Sequence, residues 1–239
     1  MGGDEVSYSI TVSELAKVCA STSVIVSAHT SLCCWPIYKY GTEDQKMKYL
    51  PELLSGKKLG AFGLTEPNAG TDASGQQTRA ELDGDEWVLN GAKCFITNGG
   101  YAEVFVVMAM TDKSKGNHGI SAFIVEKNDP GFSIGKTEDK MGICASSTTE
   151  LIFQNCRIPK DRLLGGLGKG FKVAMQTLDG GRIGIASQAL GIAEGALEVT
   201  IEYMKQRKQF GKKLAQMQAL QFVVADLATK VEAAKLLVL

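Results

Sequence analysis

The sequence is short of most features that would place it in a special class. Its six cysteines (Cys19, Cys33, Cys34, Cys94, Cys144, Cys156) are scattered and form no C-x-x-C pair. A disulfide framework or zinc ribbon is therefore not expected, and the thiols read as reduced and intracellular. Histidine is scarcer still: His29 and His118 lie nearly 90 residues apart, which argues against the clustered ligands of most catalytic metals. Neither sign of charge is in surplus, since 26 Lys and Arg against 26 Asp and Glu give a formal net charge of zero. Nothing there favours a nucleic-acid or anionic-membrane partner. The longest apolar run, Val104–Met110, has seven residues, where a membrane span needs about 20. No Arg precedes Arg79, and Met1-Gly2-Gly3 leads into polar residues, so no transit or signal segment is expected and cytoplasm is the default compartment. Proline is absent after Pro159, where average usage of about 5% would place roughly four in such a stretch. Long helices account for that.

What is present is ordinary globular composition over 239 residues, 44% hydrophobic and 22% charged, enough for one large domain or two modest ones. From Ile10 to Tyr40 small and apolar residues recur at helical spacing. Thr42-Glu-Asp-Gln45 is a capping box for a second helix reaching Leu54 and stopping at Gly56, with Pro51 expected to kink or split it. From about Leu59 the period becomes strand-like: Gln77–Leu82, an Asp83-Gly84 turn, Glu86–Leu89, an Asn90-Gly91 turn, then Cys94–Thr97. Val104–Met110, Ile120–Val125, Phe132–Gly135 and Leu151–Gln154 are further strands. Helices are predicted from Phe171 to about Arg207 and from about Lys213 onward, broken at Gly211. The last residues, Glu232–Leu239, carry no helix stop, so the chain is expected to end inside a helix with native sequence missing. The organisation is α+β: a helical segment 1–58, a β domain 59–165 and a helical segment 166–239.

Several motifs could carry chemistry. Gly165-Gly-Leu-Gly-Lys-Gly170 fits neither phosphate-loop spacing and reads as a flexible hinge. Gly63-Leu-Thr-Glu-Pro-Asn-Ala-Gly-Thr-Asp72 couples a strand end to a small-residue turn with two Thr hydroxyls. Phe95 and Thr97, at i and i+2, place a ring and a hydroxyl on one strand face. A flat heterocycle wants an aromatic surface and edge donors of that kind, although each motif alone reads more simply as a turn or core strand. Asp179 and Arg182 share a helix face with Gly180 and Gly181 between them. Each of those glycines costs the helix about 1 kcal/mol relative to Ala, which favours ligand approach or tight packing over a solvated ion pair. Arg207-Lys-Gln-Phe-Gly211 reads by itself as a helix end.

Together these motifs, with Asp179-Gly-Gly-Arg-Ile-Gly-Ile-Ala186 and Gln218, resemble the acyl-CoA dehydrogenase family, closest to its short-chain, butyryl-CoA branch. The resemblance implies N-terminal helices, a middle β-barrel-like domain and a C-terminal helical bundle, here partial. It implies FAD-dependent oxidation of a short-chain acyl-CoA to the trans-2-enoyl-CoA, with electrons passed to an electron-transfer flavoprotein. It also implies a homotetramer, in the bacterial cytoplasm or, in a eukaryote, the mitochondrial matrix. By position, Phe62, Leu64, Thr65 and Thr71 would run along the flavin, Phe95 and Thr97 would sit against it, and Arg207 and Gln218 would hold the FAD of a neighbouring subunit. Thr71, Asp179, Gly180, Gly181 and Arg182 would meet the CoA side, and the helix Ser31–Pro36 would floor the acyl pocket, with Trp35 shortening it. The catalytic Glu is expected beyond residue 239; Gly181 stands where other branches carry theirs. Phe95 replaces a common Trp and Cys144 an expected Arg. The alternatives are a non-catalytic flavin or acyl-CoA binding module and an acyl-CoA oxidase.

Overall fold

The computed structural model describes residues 4–239. Met1, Gly2 and Gly3, which entered the localisation argument, lie outside the described residues. Two compact units emerge, one of Ile25–Gly181 and one combining the residues up to Val24 with Arg182–Leu239. The mix of helices and sheet is the α+β class expected.

The Ile25–Gly181 unit is built on eight strands: β1 (Gly60–Gly63), β2 (Arg79–Asp83), β3 (Glu86–Thr97), β4 (Val104–Met110), β5 (Ile120–Glu126), β6 (Phe132–Thr137), β7 (Thr148–Pro159) and β8 (Leu163–Leu164). They run in the order β6-β7-β3-β2-β4-β5-β8, with β1 parallel to β4 off that path. The unbroken apolar run of β4 is explained by burial on both faces. Val104, Val106 and Met108 join one apolar cluster, with Ile37, Leu53 and Val173 from helices, while Phe105 and Val107 join a second, with Trp87, Phe123 and Phe153.

Several sequence expectations change here. Asn90-Gly91 is not a turn. It lies inside the continuous strand β3, where the register against β7 shifts between Leu89 and Gly91 and Gly91 takes φ +145. Asn-Gly suits a bulge as readily as a hairpin, because both need positive φ. The helical stretch is not uniform: α1 (Glu5–Val18) stops at extended Cys19, α2 (Ala20–Ser27) follows, and Ala28–Cys34 is π-helical, its last bond donated by Trp35 N–H to Thr30 O, before α3 (Trp35–Tyr40). The Thr42 capping box opens α4 (Glu43–Leu54), which runs unbroken through Pro51 although that residue has no N–H to donate to the Met47 carbonyl, so the expected split does not occur. The Gly165–Gly170 segment is not a loose hinge. Gly165, Gly166 and Gly168 take positive φ, Gly168 N–H donates to Ser121 Oγ (2.9 Å), and a Cβ on Gly170 would strike the Ser121 backbone.

In the other unit α1 lies against α5 (Gly170–Gln206), whose first turns belong to the sheet unit. The contact is made by small and polar groups. Ser9 and Ser187 share a hydrogen bond (2.7 Å), Gln188 Nε2 donates to Ala20 O (2.7 Å), and a Cβ on Gly191 would fall on the Ser13 carbonyl oxygen. After α5 the chain forms a short hairpin, β9 (Lys208–Gln209) and β10 (Lys212–Lys213), turning at Phe210 and Gly211 with φ +51 and +72. Helix α6 therefore starts later than expected, at Gln218, and runs to Val238. No helix among the described residues is long and apolar enough to cross a membrane, and all six cysteines are free thiols.

Candidate active site

The Ile25–Gly181 unit brings together two of the motifs, the turn after β1 and the end of β3. Beyond Gly63 the chain folds back, Glu66 and Ala69 exchanging backbone hydrogen bonds (3.1 and 3.0 Å). This turn is fixed to β3 by a bond from Cys94 N–H to Thr65 O (2.9 Å) and by Lys93, whose side chain is 0% exposed. The Lys93 ammonium donates to Leu64 O (3.1 Å), Glu66 Oε1 (2.7 Å) and Gln76 Oε1 (3.1 Å), so all three protons are used. Glu66 in turn accepts from the N–H groups of Gln77 (2.6 Å) and Thr78 (3.0 Å). Burial drives the Lys93 ammonium down to about 8 against the opposing pull of Glu66. For Glu66 burial is also the largest influence and raises it, but Lys93 and the Gln77 N–H outweigh that and hold the carboxyl below its ordinary value.

One residue past Cys94 the strand bulges, with the register against β7 shifting between Lys93 and Ile96. Phe95 there adopts φ +59, an unusual state for a bulky side chain that costs about 1–3 kcal/mol, and the residue is 64% exposed. Cys94 and Ile96 are buried on either side, while Thr97 is half-buried. Ring and hydroxyl thus share the side away from the core, but through a bulge instead of a plain pleat. Next in line, Asn98 takes φ +68 and donates through Nδ2 to Ile25 O (3.1 Å) and Gly60 O (3.2 Å), anchoring the end of the strand. On the turn, Leu64 is buried, Phe62 and Thr65 are half-buried and Thr71 is exposed. The arrangement offers an exposed aromatic surface with hydroxyl and backbone donors near it, on a base held rigid by a buried ion pair.

At the far end of this unit, space is open around Gly180, and a Cβ on Gly181 would meet only Leu32 Cδ2, at 3.0 Å. Among the described residues, then, tight packing accounts for Gly181 and not for Gly180. Leu32 belongs to the π-helical turn leading into Trp35, which is half-buried and edge-on to Tyr40 (centroids 5.8 Å apart). Asp179 and Arg182 are exposed on α5. Cys144 is exposed in the loop between β6 and β7, where its Sγ donates to Lys140 O (2.9 Å).

The comparisons with known proteins decide the family. "Acyl-CoA dehydrogenase, N-terminal domain" matches residues 1–57, "middle domain" residues 61–156 and "C-terminal domain" residues 168–239. The chain belongs to the acyl-CoA dehydrogenase family. It is 60% identical over 99% of its length to the short-chain specific acyl-CoA dehydrogenase of Clostridium acetobutylicum, of which it spans 62%. The butyryl-CoA dehydrogenase structure from Megasphaera elsdenii superposes with a TM-score of 0.97 at 60% identity, over 99% of this chain and 62% of that one. A chain from a structure described as the electron transferring flavoprotein of Acidaminococcus fermentans, toward a mechanism of flavin-based electron bifurcation, gives 0.98 at 61% identity, over 100% and 63%.

Within the helical unit, Arg207 is exposed directly after α5, its N–H bonded to Tyr203 O (2.8 Å), and Gln218 is the exposed first residue of α6. The bland reading of Arg207–Gly211 as a plain helix end misses the hairpin, whose signal was the Phe-Gly pair between two basic dipeptides. Sequence reasoning also missed Lys93 and Glu66. A lysine at an inward position of an alternating strand, Leu89 and Cys94 being buried near it, was the available clue.

Proposed function

We propose that this chain is the larger part of an FAD-dependent dehydrogenase that converts a short-chain acyl-CoA to its trans-2-enoyl-CoA and passes the electrons to an electron-transfer flavoprotein. The observation that carries this is the Leu64–Thr71 turn pinned to the strained Phe95 bulge in a chain 60% identical to a short-chain dehydrogenase. The fit to a flavin is chemical: an exposed ring and hydroxyls at Thr65, Thr71 and Thr97, on a turn and a strand end tied together by hydrogen bonds.

Bound FAD supplies the two-electron acceptor for the β-hydrogen. Phe95 would lie against the heterocycle and exclude water, and Thr97, Thr65, Leu64 and Phe62 would help to hold it. Thr71 also meets the CoA moiety, along with Asp179, Gly180, Gly181 and Arg182, and the open backbone at Gly180 lets the thioester end come close. Arg207 and Gln218 hold the FAD of a neighbouring subunit in a homotetramer. A carboxylate must take the α-proton; we place that Glu outside residues 1–239. Segments 1–58, 59–165 and 166–239 act as the family's three domains. The compartment is the bacterial cytoplasm, or the mitochondrial matrix in a eukaryote.

The test uses the full-length protein. Purified protein should carry FAD, reduce it with butyryl-CoA faster than with octanoyl-CoA, and pass the electrons to an electron-transfer flavoprotein more readily than to oxygen. Phe95→Ala and Thr97→Ala should each retain less FAD after gel filtration. Flavin-free protein would defeat the reading, unchanged retention in both variants would remove the two residues from the site, and octanoyl-CoA preference would reject the short pocket under Trp35.

A further inference from the structure

The flavin-facing turn is held by a residue that does not face the flavin. We propose that Lys93 is a positioning residue, whose ammonium fixes the Leu64–Thr65 peptide plane so that the Thr65 N–H is turned outward beside the Phe95 bulge. The inference rests on the flavoprotein reading above.

Four observations carry it. First, Lys93 Nζ donates to the Leu64 carbonyl (3.1 Å) as well as to Glu66 and Gln76, so it grips the backbone of the turn, a side chain within it and one beyond it. Second, no cis peptide occurs among the described residues, and in a trans amide the N–H points opposite the carbonyl. With Leu64 O drawn toward the buried ammonium, Thr65 N–H is presented away from it, and it has no backbone acceptor among the described residues. Third, the other side of the same residue is tied down, because Thr65 O accepts from Cys94 N–H (2.9 Å). Both peptide planes that flank Thr65 are therefore set by neighbours on β3. Fourth, Lys93 and Cys94 immediately precede Phe95 at φ +59, so the anchor and the strained ring belong to one bulge.

A buried charge whose partners are all engaged is costly to assemble unless every partner is in place. Its use here is geometric. The outward N–H is a preset donor, available to an acceptor on the edge of the bound heterocycle without any reorganisation of the turn.

The experiment strips flavin from the full-length protein, from Lys93→Met and from Lys93→Met/Glu66→Gln. Three quantities are read: FAD affinity from fluorescence quenching, the visible circular dichroism of the flavin at saturating FAD, and the thermal midpoint without FAD. Lys93→Met should lower the midpoint and weaken FAD binding tenfold or more. The double variant should regain part of the midpoint, since no charge is left buried without a partner. It should nonetheless keep the weakened binding and an altered flavin dichroism, because Leu64 O still lacks its donor. A merely structural lysine predicts that binding recovers in step with stability; a double variant with parental affinity and dichroism overturns the proposal. If Lys93→Met does not fold, the double variant decides alone. A parent that takes up no FAD defeats the flavoprotein reading itself, and is distinguishable from that result.

Discussion

The two units of this molecule are each stabilised internally by different means. In the sheet unit, strands β4 and β5 are buried on both faces, and rings such as Phe105 and Phe132 (centroids 4.9 Å apart) fill the interior. In the helical unit, α1 and α5 meet through serines, glycines and an ion pair of Lys17 with Glu194 (3.1 Å), beside the buried Val12, Ala16 and Leu190. Apolar area removed from water dominates the first. In the second the buried apolar residues are fewer, and close backbone approach and local polar bonds stand beside them.

The comparison is broken most sharply by deleting core volume. Phe105→Ala should cost the sheet unit about 3–5 kcal/mol, read as a lowered denaturant midpoint of the full-length protein together with faster amide exchange in β4 and β5. A loss under about 1 kcal/mol would show that the ring cluster is not what chiefly stabilises that unit. In the helical unit the corresponding experiment is addition instead of deletion. Gly191→Val, whose Cβ would meet the Ser13 carbonyl oxygen, should cost about 1–3 kcal/mol by overpacking and speed exchange in α1 while leaving β4 and β5 unchanged. Equal loss of protection in both units would dissolve the distinction.

The smallest effect is an acid step in the helical unit. Burial is the largest influence on Glu194 and raises it, but Lys17 and Lys235 (3.2 Å) outweigh that and hold the carboxyl below its ordinary 4.5. A depressed carboxyl contributes stability that is present above its unfolded value and lost as pH falls through the folded one. The Lys17 end does not limit this, since its Glu14 and Glu194 partners raise it to about 12. Exchange in α1 should therefore accelerate below about pH 4.5, and Glu194→Gln should remove that acid step. A wild-type profile unchanged to lower pH would exclude the ion pair as a source of stability.

Much of the architecture was legible in the sequence. The Thr42 capping box, the strand at Val104–Met110 and the long proline-free helix stand where local pattern placed them. Of the candidate site, the Gly63–Asp72 turn and the Phe95–Thr97 strand end were visible as motifs. Two local signals misled because one residue preference serves two geometries: Asn90-Gly91 makes a bulge, and Phe210-Gly211, read as a plain helix end, makes a hairpin turn.

What the sequence determined by itself is everything with a short-range cause: caps, periods, the doubly buried strands and the motifs of the family. The tertiary structure alone decided that Lys93, 27 residues along the chain from Glu66, closes an ion pair with it, that Phe95 is forced into a left-handed bulge, and that Gly191 lets α1 and α5 touch backbone to backbone. The physical reason is common to all three. Each depends on which groups share a dry space after the chain has folded, and a charge, a positive φ or a missing side chain gains its meaning only from the neighbour it meets there.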